Sequence, residues 1–492
     1  PAPAAPPAGR PLAWLLLALP AALTAAVAGL IGIGDRQLWN DEYITYYAAR
    51  LSWADLFRLL GNIDIVHALY YLCMHFWIQV AGTSMLALRL PSIVAMAVAA
   101  GALTVLGTQL FDRVVGVLAG LLFATFPAVS RYAQEARSYA WVTALAVLCT
   151  LALLYALRRP SWRRWLPYGA CLLALTYLHF VAALLIAPHA LLVWRARRHD
   201  GVPARPWLYA TGAVALLAAP MLYLASGQKG QVDWVTDDWL AITKYPNDLF
   251  YSHTIAWTVV VVGLFGAVAI GATHRHLLAP LAVWALLPPL FCYLTFPIAH
   301  LFLAKYVLFT LPAWALLCAA AVVVPVPRVP RALARYRAVA IPAALVLSVV
   351  FGWVDQGHVR GNTAPGEPDF RAAAALVTSG YQTGDGIAYA GTNRVGRLPM
   401  SYLLHGVHPR DVFLAIPAAR TGWYGAIECG DPAACAGQTP RIWLVSSNGG
   451  RPDPFTGMPA SRAQYLHAHY TVASTTKLSQ VRVLLLVRNP RA

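Results

Sequence analysis

Apolar residues run in long blocks along this chain, with short basic segments between them. Eleven blocks predict membrane-spanning helices: 11–34, 86–110, 114–130, 138–157, 165–179, 180–195, 207–225, 256–273, 278–296, 301–325 and 338–354. A bilayer core takes about 20 apolar helical residues per span. The stretch 165–195 is long for one span and short for two. Charge parity favours two, divided at Tyr177-Leu178-His179-Phe180. Arg113, RRPSWRR (158–164), RARRHDGVPAR (195–205), Arg275 and RVPRALARYR (328–337) then share one side with Arg10, fifteen Arg against Asp112 and Asp200. By the positive-inside rule that side is cytoplasmic. The N-terminus is then predicted inside, and the C-terminus outside. The opening PAPAAPPAGR is not a basic signal region, so the first apolar block is predicted to be a retained helix.

The polar segments carry patterns of their own. The first outer loop, 35–85, holds two amphipathic stretches, about 42–60 and 67–82, with aromatic anchors. Both predict helices lying in the membrane interface. The outer loop 226–255 is polar and rich in Trp and Tyr. Hydropathy falls after residue 354, leaving enough chain for one small soluble domain. There PDFRAAAALVTSGY (368–381) predicts a helix starting at Asp369. GDGIAYAG, DVFLAI, RIWLVSS and VRVLLLV predict strands of a buried sheet, with a helix over RLPMSYLLHG (397–406). The expected fold is a polytopic α-helical membrane protein of about eleven spans (1–354) with interfacial helices in its first outer loop. A C-terminal extracytoplasmic α/β domain (355–492) follows. No GxGxxG or P-loop follows a strand, so no nucleotide site is expected.

Composition sharpens this picture. The chain is 59% hydrophobic and 12% charged, with mean hydropathy +0.57; soluble domains carry about 25% charged residues. The net charge of +17 comes almost wholly from Arg, with only four Lys. Its placement between apolar blocks speaks for topology and against nucleic acid. Cys73, Cys149, Cys171, Cys292 and Cys318 sit in apolar segments and read as packing residues. Cys429 and Cys435, in CGDPAAC, are compatible with a local disulfide outside the cytoplasm.

Four clusters could carry chemistry. In WNDEYITYYAARLSWADLF (39–57), Asp41 and Glu42 follow the first span. A carboxylate there could take a proton from a hydroxyl, or Asp41 could cap the next helix. In NIDIVHALYYLCMHFW (62–77), Asp64 and His67 could hold a metal or a substrate head group, or cap a helix. In SRYAQEARSYAW (130–141), Arg131, Glu135 and Arg137 form a compact charged group suited to phosphate, or to an Arg131–Glu135 pair within one helix. In HLFLAKYVLFTLPAW (300–314), Lys305 lies near the outer end of an apolar span, where a lipid phosphate would match its charge. His179 marks the break between two spans, where a structural role is the commoner one. All four clusters fall on the outer side of the inferred topology.

In their order and spacing these segments resemble the GT-C glycosyltransferases of the protein-mannosyltransferase-like, family-39 group. That group includes protein O-mannosyltransferases and the lipid A aminoarabinose transferase. WNDEYITYYAARLSW, DIVHALYYLCMHFWIQVAG with LALRLPSIVA, QEARSYAWV, YLHF and KYVLFTLPAWALL carry the resemblance from 35 to about 320. Two spellings depart from the family. D-x-H-P-P-L-Y-Y is replaced by Asp64-Ile65-Val66-His67-Ala68-Leu69-Tyr70-Tyr71, and Arg-Tyr by Lys305-Tyr306.

The resemblance implies sugar transfer from a polyprenyl-phosphate carrier, with inversion. Asp41 would be the general base and Glu42 its support. Arg137 and Lys305 would bind the lipid phosphate, and Asp64, His67 and Glu135 would shape the site. Arg131, Tyr139, His179 and Tyr306 complete the expected substrate-binding set. A divalent metal ion is the one cofactor this chemistry would accommodate. The Ala-rich, Arg-over-Lys usage is that of a GC-rich bacterium, which favours mannose or arabinofuranose as the sugar. Expected partners are the lipid-linked donor, membrane lipids, and a glycan, lipid or protein acceptor. The alternatives are a lipid-linked glycan flippase or transporter, and a glycan ligase on the same fold.

Overall fold

The computed structural model describes residues 11–158, 161–232, 235, 239–325, 337–361, 367–391, 393–404, 406–447 and 452–490. Arg10, Arg159 and residues 328–336 of the predicted basic side lie outside the described residues, as do His405 and parts of the loop 226–255.

Helices follow one another along the first three quarters of the chain. They are α1 (Pro11–Leu30), α2 (Asn40–Arg50), α3 (Trp53–Asn62), α4 (Ala68–Ala81), α5 (Met85–Leu110), α6 (Arg113–Thr125), α7 (Pro127–Ala133), α8 (Tyr139–Arg158) and α9 (Trp162–Leu178). Then come α10 (Ile186–Asp200), α11 (Arg205–Ser226), α12 (Ala241–Phe250), α13 (His253–Thr273), α14 (Arg275–Leu294), α15 (Phe296–Ala299), α16 (Leu311–Val323) and α17 (Arg337–Arg360). Among the described residues nine helices are long and apolar enough to cross a membrane. The pair α6 and α7, bent by 64° where Pro127 opens α7, makes up to ten. The eleventh expected span is α9, whose 17 residues reach only about 25 Å of a ~30 Å core. The break at His179 is present: its backbone is extended, and a 3₁₀ turn, Phe180–Leu185, leads into α10.

Two compact units emerge from the contacts: residues 1–33, 64–73 and 84–360, and residues 34–63, 74–83 and 361–492. In the first, small residues let helices approach closely. A Cβ on Gly120 of α6 would meet the Ala100 carbonyl oxygen at 2.8 Å and Ala21 Cβ at 2.9 Å. Gly116 and Gly120 thus act as a small-residue seam against α5 and α1. The C-terminal end of α1 is capped from elsewhere in the unit. Gln134 Nε2 donates to the Gly29 and Ile31 carbonyls, Arg360 to those of Ala28 and Ile31, and the fully buried Arg89 to that of Ile33 at 2.7 Å. Cationic donors at a helix C-terminus satisfy its open carbonyls and complement its dipole.

The second unit joins the first-loop helices to an α/β sheet. Its remaining elements are α18 (Phe370–Gly380), β1 (Gly386–Gly391), α19 (Asn393–Leu403), β2 (Arg410–Asp411), β3 (Leu414–Ile416), α20 (Ala418–Thr421), β4 (Ile427–Glu428), α21 (Pro432–Ala436), β5 (Arg441–Ser447), α22 (Ala460–His469), β6 (Tyr470–Lys477) and β7 (Arg482–Arg488). The sheet order is β2-β1-β5-β7-β6, with β1 parallel to β2 and β5, and β7 antiparallel to β5 and β6. Asp369 caps α18 as expected, accepting from Ala372 N at 3.0 Å. Edge strand β6 carries mostly exposed polar residues, which is why hydropathy missed it. Cys429 and Cys435 form a disulfide beside α21. The strand-like segment DVFLAI divides between β2 and β3, and β3 pairs antiparallel with β4.

Segment 34–37 is stitched to the start of α18. Arg36 pairs with Glu367 at 2.6 Å, Gln37 donates to the Pro368 carbonyl, and Arg371 donates to the Asp35 and Gly34 carbonyls. Tyr43 and Tyr46 of α2 pack edge-on against Tyr402 of α19.

Candidate active site

The predicted site residues divide between the two units: Asp41 and Glu42 lie in one, and the other nine in the other.

The acid pair opens α2. Asn40 is the first helical residue, so Asp41 stands inside the first turn and is not the cap. The capping contact belongs to Glu42, whose Oε2 accepts from Trp39 N at 3.3 Å. Glu42 is fully buried, whereas Asp41 is only half-buried. The Asp41 carbonyl accepts from Thr45 Oγ. The two carboxylates therefore differ in environment: one is tied back to its own helix terminus, and the other projects from the same turn, where the helix dipole favours negative charge.

In the other unit Arg137 is the hub. It sits on the tight turn between α7 and α8, and Ser92 Oγ of α5 pins that turn by donating to the Glu135 carbonyl at 2.7 Å. Arg137 Nη1 donates to Tyr71 OH at 3.0 Å, and Nη2 contacts His67 Nε2 at 2.9 Å. A guanidinium only donates, so His67 must accept through Nε2 and carry its proton on Nδ1. Tyr71 OH in turn donates to Asp64 Oδ2 at 2.8 Å. Asp64 holds a left-handed backbone, φ 59°, just before a 3₁₀ turn at Ile65–His67. In the amide orientation that pairs donor with acceptor, Gln231 donates to Asp64 Oδ1 and accepts from Asp64 N. Gln228 Oε1 accepts from Ile65 N.

Lys305, Tyr139, His179 and Tyr306 form a second group. Lys305 and Tyr306 lie in the 3₁₀ turn Ala304–Thr310 before α16. Lys305 Nζ is 5.7 Å from the Tyr139 ring centroid and 6.0 Å from that of Tyr306. The His179 ring lies 4.7 Å from Tyr306 and 6.0 Å from Tyr139. Arg131 pairs with Glu135 at 2.5 Å, both side chains buried, and lies over the rings of Tyr132 and Tyr251. The Arg131–Glu135 pairing left open by the sequence is therefore present, but between α7 and the turn after it, not within one helix.

Sequence reasoning overlooked Tyr71, Ser92, Gln228 and Gln231. Tyr71 was findable, because it stands four residues after His67 and shares its helix face. The others act through loops whose approach no periodicity reveals. No group of three or more His, Cys, Asp or Glu that could hold a metal occurs among the described residues.

Residues 68–224 match the family described as dolichyl-phosphate-mannose-protein mannosyltransferase. The fold is similar to that of ArnT from Cupriavidus metallidurans bound to undecaprenyl phosphate, at 12% identity, TM-score 0.60, over 97% of this chain and 98% of that one. The chain carries a match to a mannosyltransferase family over residues 68–224, on a membrane fold of the GT-C type. This GT-C fold is also similar to the arabinofuranosyltransferase AftD from Mycobacteria, at 14% identity and TM-score 0.52, over 98% of this chain but 40% of that one. The oligosaccharyltransferase of Archaeoglobus fulgidus in complex with Zn and sulfate aligns at 12% identity and TM-score 0.48, over 87% and 67%. No curated protein sequence matches the glycosyltransferase.

Proposed function

We propose that this glycosyltransferase moves a sugar, mannose or arabinofuranose, from a polyprenyl-phosphate carrier to a hydroxyl of a cell-envelope glycan, glycolipid or protein. The transfer takes place on the outer face of the membrane. The carrier is supported by the family description and by ArnT, a fold neighbour bound to undecaprenyl phosphate. Mannose is supported by the family description, and arabinofuranose by AftD. The Arg-rich loops support the sidedness, with the N-terminus cytoplasmic and residues 355–492 outside.

The reaction is a single displacement with inversion. The Asp41 carboxylate takes the proton of the acceptor hydroxyl as its oxygen bonds to the anomeric carbon. The bond from that carbon to the phosphate oxygen breaks, and its electron pair leaves on the polyprenyl phosphate. A phosphate leaves without protonation, so one base suffices. Arg137 and Lys305 hold that phosphate and offset its growing charge. Glu42 fixes the turn that carries Asp41. Asp64, His67 and Glu135 shape the site, with Arg131, Tyr139, His179 and Tyr306 around it. Among the described residues no group of three or more His, Cys, Asp or Glu stands together, so no ligands are assigned to the divalent metal that this chemistry would accommodate.

The observation that carries this reading is the orientation of Arg137. Tyr71 and His67, neither charged, fix a buried guanidinium in one plane. A guanidinium held this way suits bidentate phosphate. The test supplies purified enzyme with radiolabelled polyprenyl-phosphate mannose or arabinofuranose and candidate acceptors, comparing wild type with Asp41→Asn. Loss of transfer with retained carrier binding is expected. Undiminished transfer by the variant would sink the base assignment. Carrier movement across liposomes without transfer would point to a transporter.

A further inference from the structure

The β3–β4 hairpin carries an apolar face that the sheet does not use. Ile416 and Ile427 are cross-strand partners, and Leu414 lies across a register shift from them. These three, with Trp423 in the connecting loop, are 38% to 51% exposed. Four large apolar side chains grouped on a small soluble hairpin mark a contact surface.

The hairpin is fastened to the first-loop helices. Asn62 Nδ2, at the end of α3, donates to the Gly422 carbonyl at 3.1 Å, and Tyr47 OH of α2 donates to that of Trp423. A Cβ on Gly422 would meet Asn62 Nδ2 at 2.6 Å and Arg58 Cγ at 2.9 Å, so the fit leaves no slack. Those helices are held near the bilayer by the chain itself. The span α5 starts at Met85, four residues beyond the end of α4 at Ala81, so α4 ends within about 14 Å of membrane entry. Its last turns expose Phe76 at 62% and Val80 at 87%. Trp53, at the start of α3, lies 5.3 Å from Phe76. Arg50 and Arg58, on α2 and α3 of the same unit, are exposed, as cations near anionic headgroups are.

We infer that the β3–β4 hairpin is a membrane anchor of the C-terminal domain, seating Leu414, Ile416, Ile427 and Trp423 in the bilayer interface beside α3. The occupant of the face is lipid, because the same compact unit presents aromatic and basic residues to the interface within a few residues of a span.

The test places an environment-sensitive fluorophore on Ile416→Cys or Ile427→Cys, in a background with Cys73 and Cys171 changed to Ala. The full chain is held in nanodiscs containing phosphatidylglycerol. Val472→Cys on edge strand β6, an exposed apolar strand residue of the same kind, is the control. Lipid spin-labelled near the headgroup should quench the hairpin probes by about half, as expected at interfacial depth, and leave the control unchanged. Aqueous iodide should show the reverse order. Iodide quenching of hairpin and control probes alike would overturn the anchor. Shielding of the hairpin probes from both quenchers would overturn it too, assigning the face to a protein contact.

Discussion

Tyr71 decides how tightly the Arg137 guanidinium, the proposed phosphate contact, is held, and Tyr71→Phe isolates that role. The side chain is fully buried, so Phe fills the same space and removes only the hydroxyl. That hydroxyl accepts from Arg137 at 3.0 Å and donates to Asp64 at 2.8 Å. Hydrogen bonds to charged groups contribute about 1.5–3 kcal/mol each. Asp64 keeps its contacts with Gln231, so its loss falls at the low end. His67 still holds one arm of the guanidinium. Release of the other arm is expected to lower kcat/KM for the lipid-linked donor about 10- to 100-fold, at about 1.4 kcal/mol per factor of ten. KM for the acceptor should stay near wild type, because the change acts on the carrier phosphate. Arg137→Lys should cost at least as much, since an ammonium cannot contact Tyr71 and His67 in one plane. Because both changes break one hydrogen-bonded unit, the double variant should fall far short of the combined single losses. The assay is steady-state transfer with each substrate varied in turn, beside thermal unfolding in detergent. A Tyr71→Phe enzyme with donor kcat/KM within about threefold of wild type would refute the reasoning.

The other predictions concern the scaffold and the chemistry. Gly120→Ala should lower thermal stability by about 1–3 kcal/mol through overpacking against Ala100 and Ala21, and an unchanged unfolding midpoint would contradict the seam. Arg397→Met strips the partner from the largely buried Asp411 and leaves Glu428 to Arg462; limited proteolysis should then cut the C-terminal domain faster, consistent with a loss of about 3 kcal/mol. Ala68→Pro removes the Ala68 N–H bond to the Ile65 carbonyl and pushes His67 out of its helical conformation. It should cost at least about 1 kcal/mol and raise donor KM, and unaltered donor kinetics would count against the role of the turn.

Long-range order was legible where side chains alone set it. The apolar blocks gave the helices, the Asp369 cap appeared where its residue type placed it, and the break at YLHF followed from charge parity. What escaped detection depended on neighbours distant in sequence. The fully buried Arg89 looks misplaced in an apolar span until the Ile33 carbonyl is seen to receive it. The polar strand β6 is a strand because β7 offers it an edge. The compact unit holding α2, α3 and the sheet rests on contacts such as Arg36 with Glu367, 331 residues apart. Of the candidate site, the charged residues were visible as anomalies of burial. Their orientation was not, because Tyr71, Ser92 and the glutamines carry no charge to betray them.

The turn at Asp64 shows how the chain accommodates a spelling that departs from the one it resembles. In D-x-H-P-P the prolines disfavour a helical residue before them and preset the helix that follows. Here both are missing and the histidine comes one place later. The extra residue is absorbed by the 3₁₀ turn Ile65–His67, which a left-handed Asp64 initiates. That backbone costs about 1–3 kcal/mol for a residue other than glycine, although aspartate tolerates it better than most. The cost is offset by what the carboxylate does there: one oxygen receives Tyr71 and the other Gln231. The histidine then ends that turn, directly before α4 and four residues ahead of Tyr71, and both reach Arg137. Backbone strain at Asp64 and the orientation of the guanidinium are thus one linked arrangement. A substitution that relaxes the first should loosen the second.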